Sequence, residues 1–189
     1  SLRKPQRDSL EILHRITEIA PPLNHVDRDA ALAAIRSEFP TVTDFEREFI
    51  SLCFALATGV GKTRLMGAFI AYLHLQHGIN NFFVMAPNLT IYNKLIADFT
   101  PNTPKYVFKG ISGFATDAPE IITGDDYEAK AGTLFDQLLR CKINIFNISK
   151  INSEVRGGKA PRIKRLSEYI GESYFEYLAN LPDLVLIMD

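Results

Sequence analysis

Cysteine is scarce in this chain, with only Cys53 and Cys141 in 189 residues. The two lack the close spacing of a metal site and are too few for a disulfide framework. Both stand in or beside apolar stretches, which predicts reduced core residues in a cytoplasmic protein. Long apolar runs are missing as well. Leu52 to Ala57 and Leu184 to Met188 fall far short of the ~20 residues that span a bilayer, so no membrane partner is expected. No basic, apolar leader opens the chain, and secretion is not expected. A strong charge of either sign is also absent: 21 Lys plus Arg stand against 22 Asp plus Glu, a formal net charge of -1. That excludes a general attraction to polyanions, and any such partner must be held by local charge. Neither internal repeats nor low-complexity segments are present.

What remains is the composition of an ordinary globular protein, 47% hydrophobic and 23% charged, at a length suited to a single core. Charge is unevenly spread along it. Residues 117–129 carry Asp117, Glu120, Asp125, Asp126 and Glu128 without a base, and residues 156–165 carry Arg156, Lys159, Arg162, Lys164 and Arg165 without an acid. The simplest reading of both runs is solvated loops.

Apolar residues at helical spacing predict a first helix over Asp8 to Ala20, stopped by Pro21 and Pro22. Short helices are expected around Ala30 to Ser37 and Asp44 to Glu48, parted by Phe39-Pro40. Phe49 to Ala57 reads as a strand buried on both faces, followed at once by a helix that ends at His77-Gly78. Alternation continues with strands at Phe82 to Met85 and Tyr106 to Phe108 around a helix capped by Asn88. A weak strand follows near Ile121 and Ile122, then a helix at Thr133 to Leu139 and a strand at Ile143 to Ile148. A helix from about Ile163 to Leu178 and a strand at Leu184 to Met188 complete the pattern. Strand and helix alternating in this way predict an α/β fold, a mostly parallel sheet with helices on both faces.

The strongest chemical signal is Ala57-Thr58-Gly59-Val60-Gly61-Lys62-Thr63, between an expected strand and a helix. Glycines let the backbone curl so that successive N–H groups face phosphate oxygens, and the helix N-terminus adds partial positive charge. In such a P-loop Lys62 reaches the β- and γ-phosphates, and the Thr63 hydroxyl joins the Mg²⁺ shell. One position departs from the full pattern, which has a glycine where this chain has Leu56. An apolar strand ending in an acid, here Leu184 to Asp189, matches the second Mg²⁺-holding element of such proteins.

Together with Leu2-Arg3-Lys4-Pro5-Gln6 and Ala86-Pro87-Asn88-Leu89-Thr90, these residues resemble superfamily-two helicases and translocases. Within that group they look most like the motor subunits of type III restriction enzymes. The resemblance implies an incomplete RecA-like P-loop NTPase lobe: residues 1–48 as an N-terminal helical segment with the glutamine motif and an insertion, and residues 49–189 as the first part of the lobe. It implies ATP with Mg²⁺ as cofactors, Gln6 reading the adenine edge with Arg3 near it, and the phosphates held on Thr58, Gly59, Val60, Gly61, Lys62 and Thr63. Lys62 and Asp189 are the implied catalytic groups, and Thr63 and Asp189 the implied metal ligands. Pro87, Asn88 and Thr90 match a motif that grips one nucleic-acid strand by its phosphates, and Ser149 and Lys150 occupy the place of a second. The helix-capping role of Asn88 stands beside that reading.

In the family a glutamate follows the acid at Asp189, and this sequence stops there, so the expectation is a fragment cut at that point. The implied partners are DNA, a second motor lobe and a nuclease domain of the same full-length chain, and a modification or specificity subunit. Two other classes stay open from sequence. One is a P-loop ATPase or kinase domain without a nucleic-acid role, and the other a non-catalytic interaction domain that keeps the fold.

Overall fold

The computed structural model describes residues 1–22, 26–130, 139–151 and 173–189. The chain divides into two compact units, Ser1–Leu65 and Met66–Asp189, with the division falling inside one helix.

The first unit is built on α1 (Lys4–Ile19) and α2 (Arg28–Glu38). Helix α1 begins a turn before the predicted start, because Pro5 in its first turn presets a helical φ and has no N–H to leave unpaired. Asp27 caps α2 by accepting from the Asp29 and Ala30 amides at 3.0 and 3.1 Å. The two helices close a core of Ile16, Ala20, Ala31, Ile35 and Phe45. Arg28 lies over the Phe45 ring at 5.7 Å and reaches Asp44 at 3.2 Å, so part of the stretch between Gln6 and Gly59 is a structural element with its own core.

Two predicted elements of this unit do not form. No helix occupies Asp44 to Glu48, where Glu46 has a left-handed φ of 56° and breaks any right-handed helix. Phe49 to Ala57 is not a paired strand among the described residues. Ile50 and Leu52 spend their side chains on the helical core, and from Leu52 onward alternate residues are half-buried and exposed. Cys53 falls on the outer side and is exposed, against the expectation that both cysteines are core residues; Cys141 is buried as expected.

Helix α3 (Lys62–His77) crosses the division and is followed by the second unit's sheet. Its strands are β1 (Asn81–Ala86), β2 (Glu120–Thr123), β3 (Lys142–Asn147) and β4 (Leu184–Met188). They run in the order β2-β3-β1-β4, and every pairing is parallel. Phe82 lies opposite Ile143 on one side and Val185 on the other. Strands β1 and β3 are almost wholly buried, which explains their continuous apolar reading, whereas β4 is half exposed, with Met188 at 68%. Helix α4 (Leu89–Phe99) packs on the sheet with Tyr92, Leu95 and Phe99 buried. The short helices α5 (Tyr127–Lys130) and α6 (Tyr174–Ala179) also belong to this unit.

A core of Phe83, Ile122, Tyr127, Phe146, Tyr174 and Leu178 ties α6 to the sheet. Within it Asn144, 1% exposed, donates to the Phe82 carbonyl at 3.1 Å and accepts from the Tyr174 hydroxyl, so a buried amide in a central strand is satisfied. Tyr106 to Phe108 is a turn and not a strand. Val107 donates to the Asp98 carbonyl at 2.9 Å, and Phe108 packs edge-on against Phe99 and Phe114, so its apolar residues anchor a loop. A Cβ on Gly67 would come within 2.8 Å of Val107 Cβ, which shows how closely α3 meets that loop.

The helix predicted at Thr133 to Leu139 lies almost wholly outside the described residues, as does all but the end of the helix predicted to reach Leu178. The basic run at residues 156–165 lies outside them entirely.

Candidate functional site

In the first unit, residues 58–60 form a turn and α3 begins at Lys62. Gly59 and Gly61 hold left-handed φ angles of 77° and 88°, conformations that side-chain-bearing residues adopt at a cost. Gly61 also caps α3: its carbonyl accepts from the Arg64 and Leu65 amides at 3.1 and 3.2 Å.

The start of α1 grips this turn. Gln6, 2% exposed, donates its Nε2 to the carbonyls of Val60 and Gly61, both at 2.9 Å, and its Oε1 accepts from the Arg3 amide at 2.8 Å. Arg3 Nη1 donates to the Gly59 carbonyl at 3.1 Å. Three successive carbonyls are therefore turned toward α1. Since the carbonyl of one residue and the N–H of the next point in opposite directions across a trans peptide, the N–H groups of Val60, Gly61 and Lys62 face away from it. Gly59, Gly61 and Lys62 are exposed. This clamp between Gln6 and a loop 54 positions further on is not visible in sequence spacing.

Such a turn fits the phosphates of a nucleotide. A Cβ on Gly59 would meet no protein atom within 4 Å, so that face is open, whereas a Cβ on Gly61 would lie 2.6 Å from Gln6 Nε2, so the loop and Gln6 are matched in shape. Thr63 and Asp189, the residues expected to hold Mg²⁺, offer hydroxyl and carboxylate oxygens, the hard donors that suit this ion. No group of three or more His, Cys, Asp or Glu among the described residues is arranged to hold a metal.

In the second unit all four strands point their carboxyl ends the same way, which gathers the segments that follow them on one edge of the sheet. Pro87, Asn88 and Thr90 follow β1 and are exposed. Asn88 Oδ1 accepts from the Ile91 amide at 3.0 Å and so caps α4, as the sequence implied. Asp189 follows β4 one position after Met188, whose partner on β1 is Met85, and it too is exposed. Residues 148–151 are helical, and Asn147 Oδ1 accepts from both the amide and the hydroxyl of Ser149, at 3.1 and 2.9 Å. Ser149 is thus bonded at the cap, while Lys150 extends to Asp125 at 3.3 Å.

The acidic stretch after β2, read from sequence as a solvated loop, is held by bonds that the sequence did not reveal. Asp126 Oδ1 accepts from the Thr123 amide at 2.7 Å, and Lys130 pairs with Asp126 and Glu120 at 3.0 and 3.4 Å. Arg140 meets Glu120 at 3.1 Å. Asp125 accepts from the Tyr92 hydroxyl at 2.7 Å. Burial and then that carboxylate push the Tyr92 phenol up to about 12. Much of the acid run is therefore a built turn with cationic partners; its sequence signal is Thr123-Gly124-Asp125-Asp126 at a strand end.

A parallel sheet, four-stranded among the described residues, with helices packed on it and polar loops gathered at its carboxyl edge is the architecture of a RecA-like α/β lobe. The family model described as type III restriction enzyme, res subunit, matches residues 2–189, and the chain belongs to that family. Membership supports an ATP-dependent, helicase-like motor function of the kind found in restriction enzymes. Comparison with curated proteins and with solved structures gives no match. No helix among the described residues is long and apolar enough to cross a membrane.

Proposed function

We propose that this chain binds ATP on residues Thr58 to Thr63 and grips DNA at the carboxyl edge of its sheet, as the first lobe of a DNA-dependent translocase. The observation that carries the nucleotide half is the clamp of Arg3 and Gln6 on three successive carbonyls, which aims the N–H groups of Val60, Gly61 and Lys62 the opposite way. Those donors, with the partial positive charge at the start of α3, suit phosphate oxygens, and Lys62 supplies a full charge there. In this reading the Thr63 hydroxyl would hold Mg²⁺ beside the turn, and the ion when bound would neutralise charge on the phosphates.

Gln6 has a double assignment. Its amide is committed to the loop, so reading adenine requires exchange of at least one of the bonds it makes to Val60, Gly61 or Arg3. Coupling of base recognition to cradle orientation follows.

At the sheet edge, the first-turn amides of α4 behind Asn88 suit a strand phosphate, with Pro87 and Thr90 beside them and Lys150 adding charge. Ser149 and Asp189 are further polar residues on that edge. The partners in this reading are DNA, a second motor lobe and nuclease domain on the same polypeptide, and a modification or specificity subunit.

The test is steady-state ATP hydrolysis by the complete enzyme with saturating duplex DNA. Lys62→Ala is expected to lower turnover at least about a hundredfold, the scale of losing one charge-stabilising group. Retention of more than about a tenth of wild-type turnover would sink the assignment.

A further inference from the structure

We propose that Asp125 is an internal stand-in for a strand phosphate, holding Lys150 until nucleic acid displaces it, so that this acid tunes the affinity of the sheet edge. The inference rests on the reading of that edge as the strand-gripping surface.

The geometry divides the carboxylate into an anchored half and an offered half. Oδ2 accepts from the hydroxyl of Tyr92, a residue of α4 that is 4% exposed, and Oδ1 lies 3.3 Å from Lys150 Nζ. The backbone amide of Asp125 adds a bond to Thr123 Oγ1 at 3.3 Å, which helps fix the loop. The cation sits on a flexible stem, and the pair is open to water, with side-chain exposures of 54% for Lys150 and 62% for Asp125.

An ion pair so exposed contributes little to stability, and it is readily exchanged for a competing anion. A phosphate oxygen takes the same donor in the same way as a carboxylate oxygen. Neighbouring acids have other cations. Asp126 and Glu120 are held by Lys130, and Glu120 also by Arg140. On leaving Lys150, Asp125 keeps its bond from the Tyr92 hydroxyl, so the exchange does not strand a buried charge.

Asp125→Asn tests this directly, because the amide keeps an oxygen for the Tyr92 hydroxyl and loses only the charge. In a fluorescence anisotropy titration of the complete enzyme with a duplex oligonucleotide at low salt, Asp125→Asn is expected to tighten binding about two- to fivefold, the worth of an exposed pair. Lys150→Gln is expected to weaken binding and to lower the salt slope by about one. In the Lys150→Gln background the gain from Asp125→Asn is expected to shrink to the small effect of removing one screened charge. Unchanged or weaker binding by Asp125→Asn, while Lys150→Gln still weakens it, overturns the stand-in role alone. A gain that persists undiminished without Lys150 also overturns it. If Lys150→Gln leaves both affinity and slope unchanged, the edge does not hold nucleic acid there, and the surface reading falls together with this inference.

Discussion

Gly61 shows how one residue can be fixed twice, by its own backbone and by a neighbour. Its φ of 88° disfavours any side chain, and the Cβ of an alanine would press on Gln6 Nε2 at 2.6 Å. Gly59 has the same backbone problem, with φ 77°, but open space around its Cβ position. Backbone strain of this kind costs about 1 to 3 kcal/mol, so both alanine variants should lower the thermal midpoint. Gly61→Ala is expected to lower it further, and to reduce kcat/KM for ATP at least about tenfold by displacing Gln6 and the carbonyls it orients. Equal losses of stability in the two variants would mean that Gln6 yields without consequence. The pattern of glycines before Lys62 was legible in sequence because its chemistry is local. The grip of Gln6 on the loop carbonyls was not: the resemblance placed Gln6 at the adenine, and its bonds to Val60 and Gly61 arise only when folding brings together residues 54 and 55 positions apart.

Among the elements, α4 tests capping against nucleic-acid binding. Asn88 bonds the Ile91 amide, so Asn88→Ala should cost about 1 kcal/mol of stability through the lost cap. If the amides behind Asn88 also take a phosphate, DNA affinity falls while Asn88→Asp, which still caps, restores the thermal midpoint but not the affinity, because it adds an anion at the contact. Recovery of both by aspartate would leave capping as the whole role. Helices α1, α2 and α4 and strands β1, β3 and β4 were legible because each has a clear period or a continuous apolar run. Three failures share a cause: apolar residues were read as elements when they are anchors. Phe45 fills a helical core beside a left-handed Glu46, Ile50 and Leu52 pack on α1 and α2, and Val107 with Phe108 pins a turn against Phe99 and Phe114. Periodicity reports which side chains are buried and says little about whether their backbone finds a ladder partner.

For the whole molecule, the parallel α/β class was legible from alternation, whereas the order β2-β3-β1-β4 depends on contacts between distant strands that leave no local trace. The sheet also sets a response to alkali. Cys141, 2% exposed just before β3, has its thiol pushed up from 9.0 to about 12, first by burial. The folded chain therefore keeps a proton that the unfolded chain loses above pH 9. Stability is unaffected by this group below that pH and falls as pH rises from 9.0 toward about 12, by at most about 4 kcal/mol over the full span. Tyr92, pushed up from 10.0 to about 12, adds to the fall above pH 10. Burial of Lys142 acts in the opposite direction: it lowers the ammonium pKa below 10.5, so the unfolded chain holds more protons just under that value and stability gains as pH rises there. The thiol window opens first, at pH 9.0, and its span is the larger of the two with stated values. Thermal midpoints measured from about pH 8 to about 10.5 should decline for the wild type, and Cys141→Ala should start lower, having lost packing, yet decline less steeply. Parallel profiles for the two proteins would assign the alkaline loss to groups other than Cys141, Tyr92 among them, and show that the Cys141 thiol does not stay protonated in the fold.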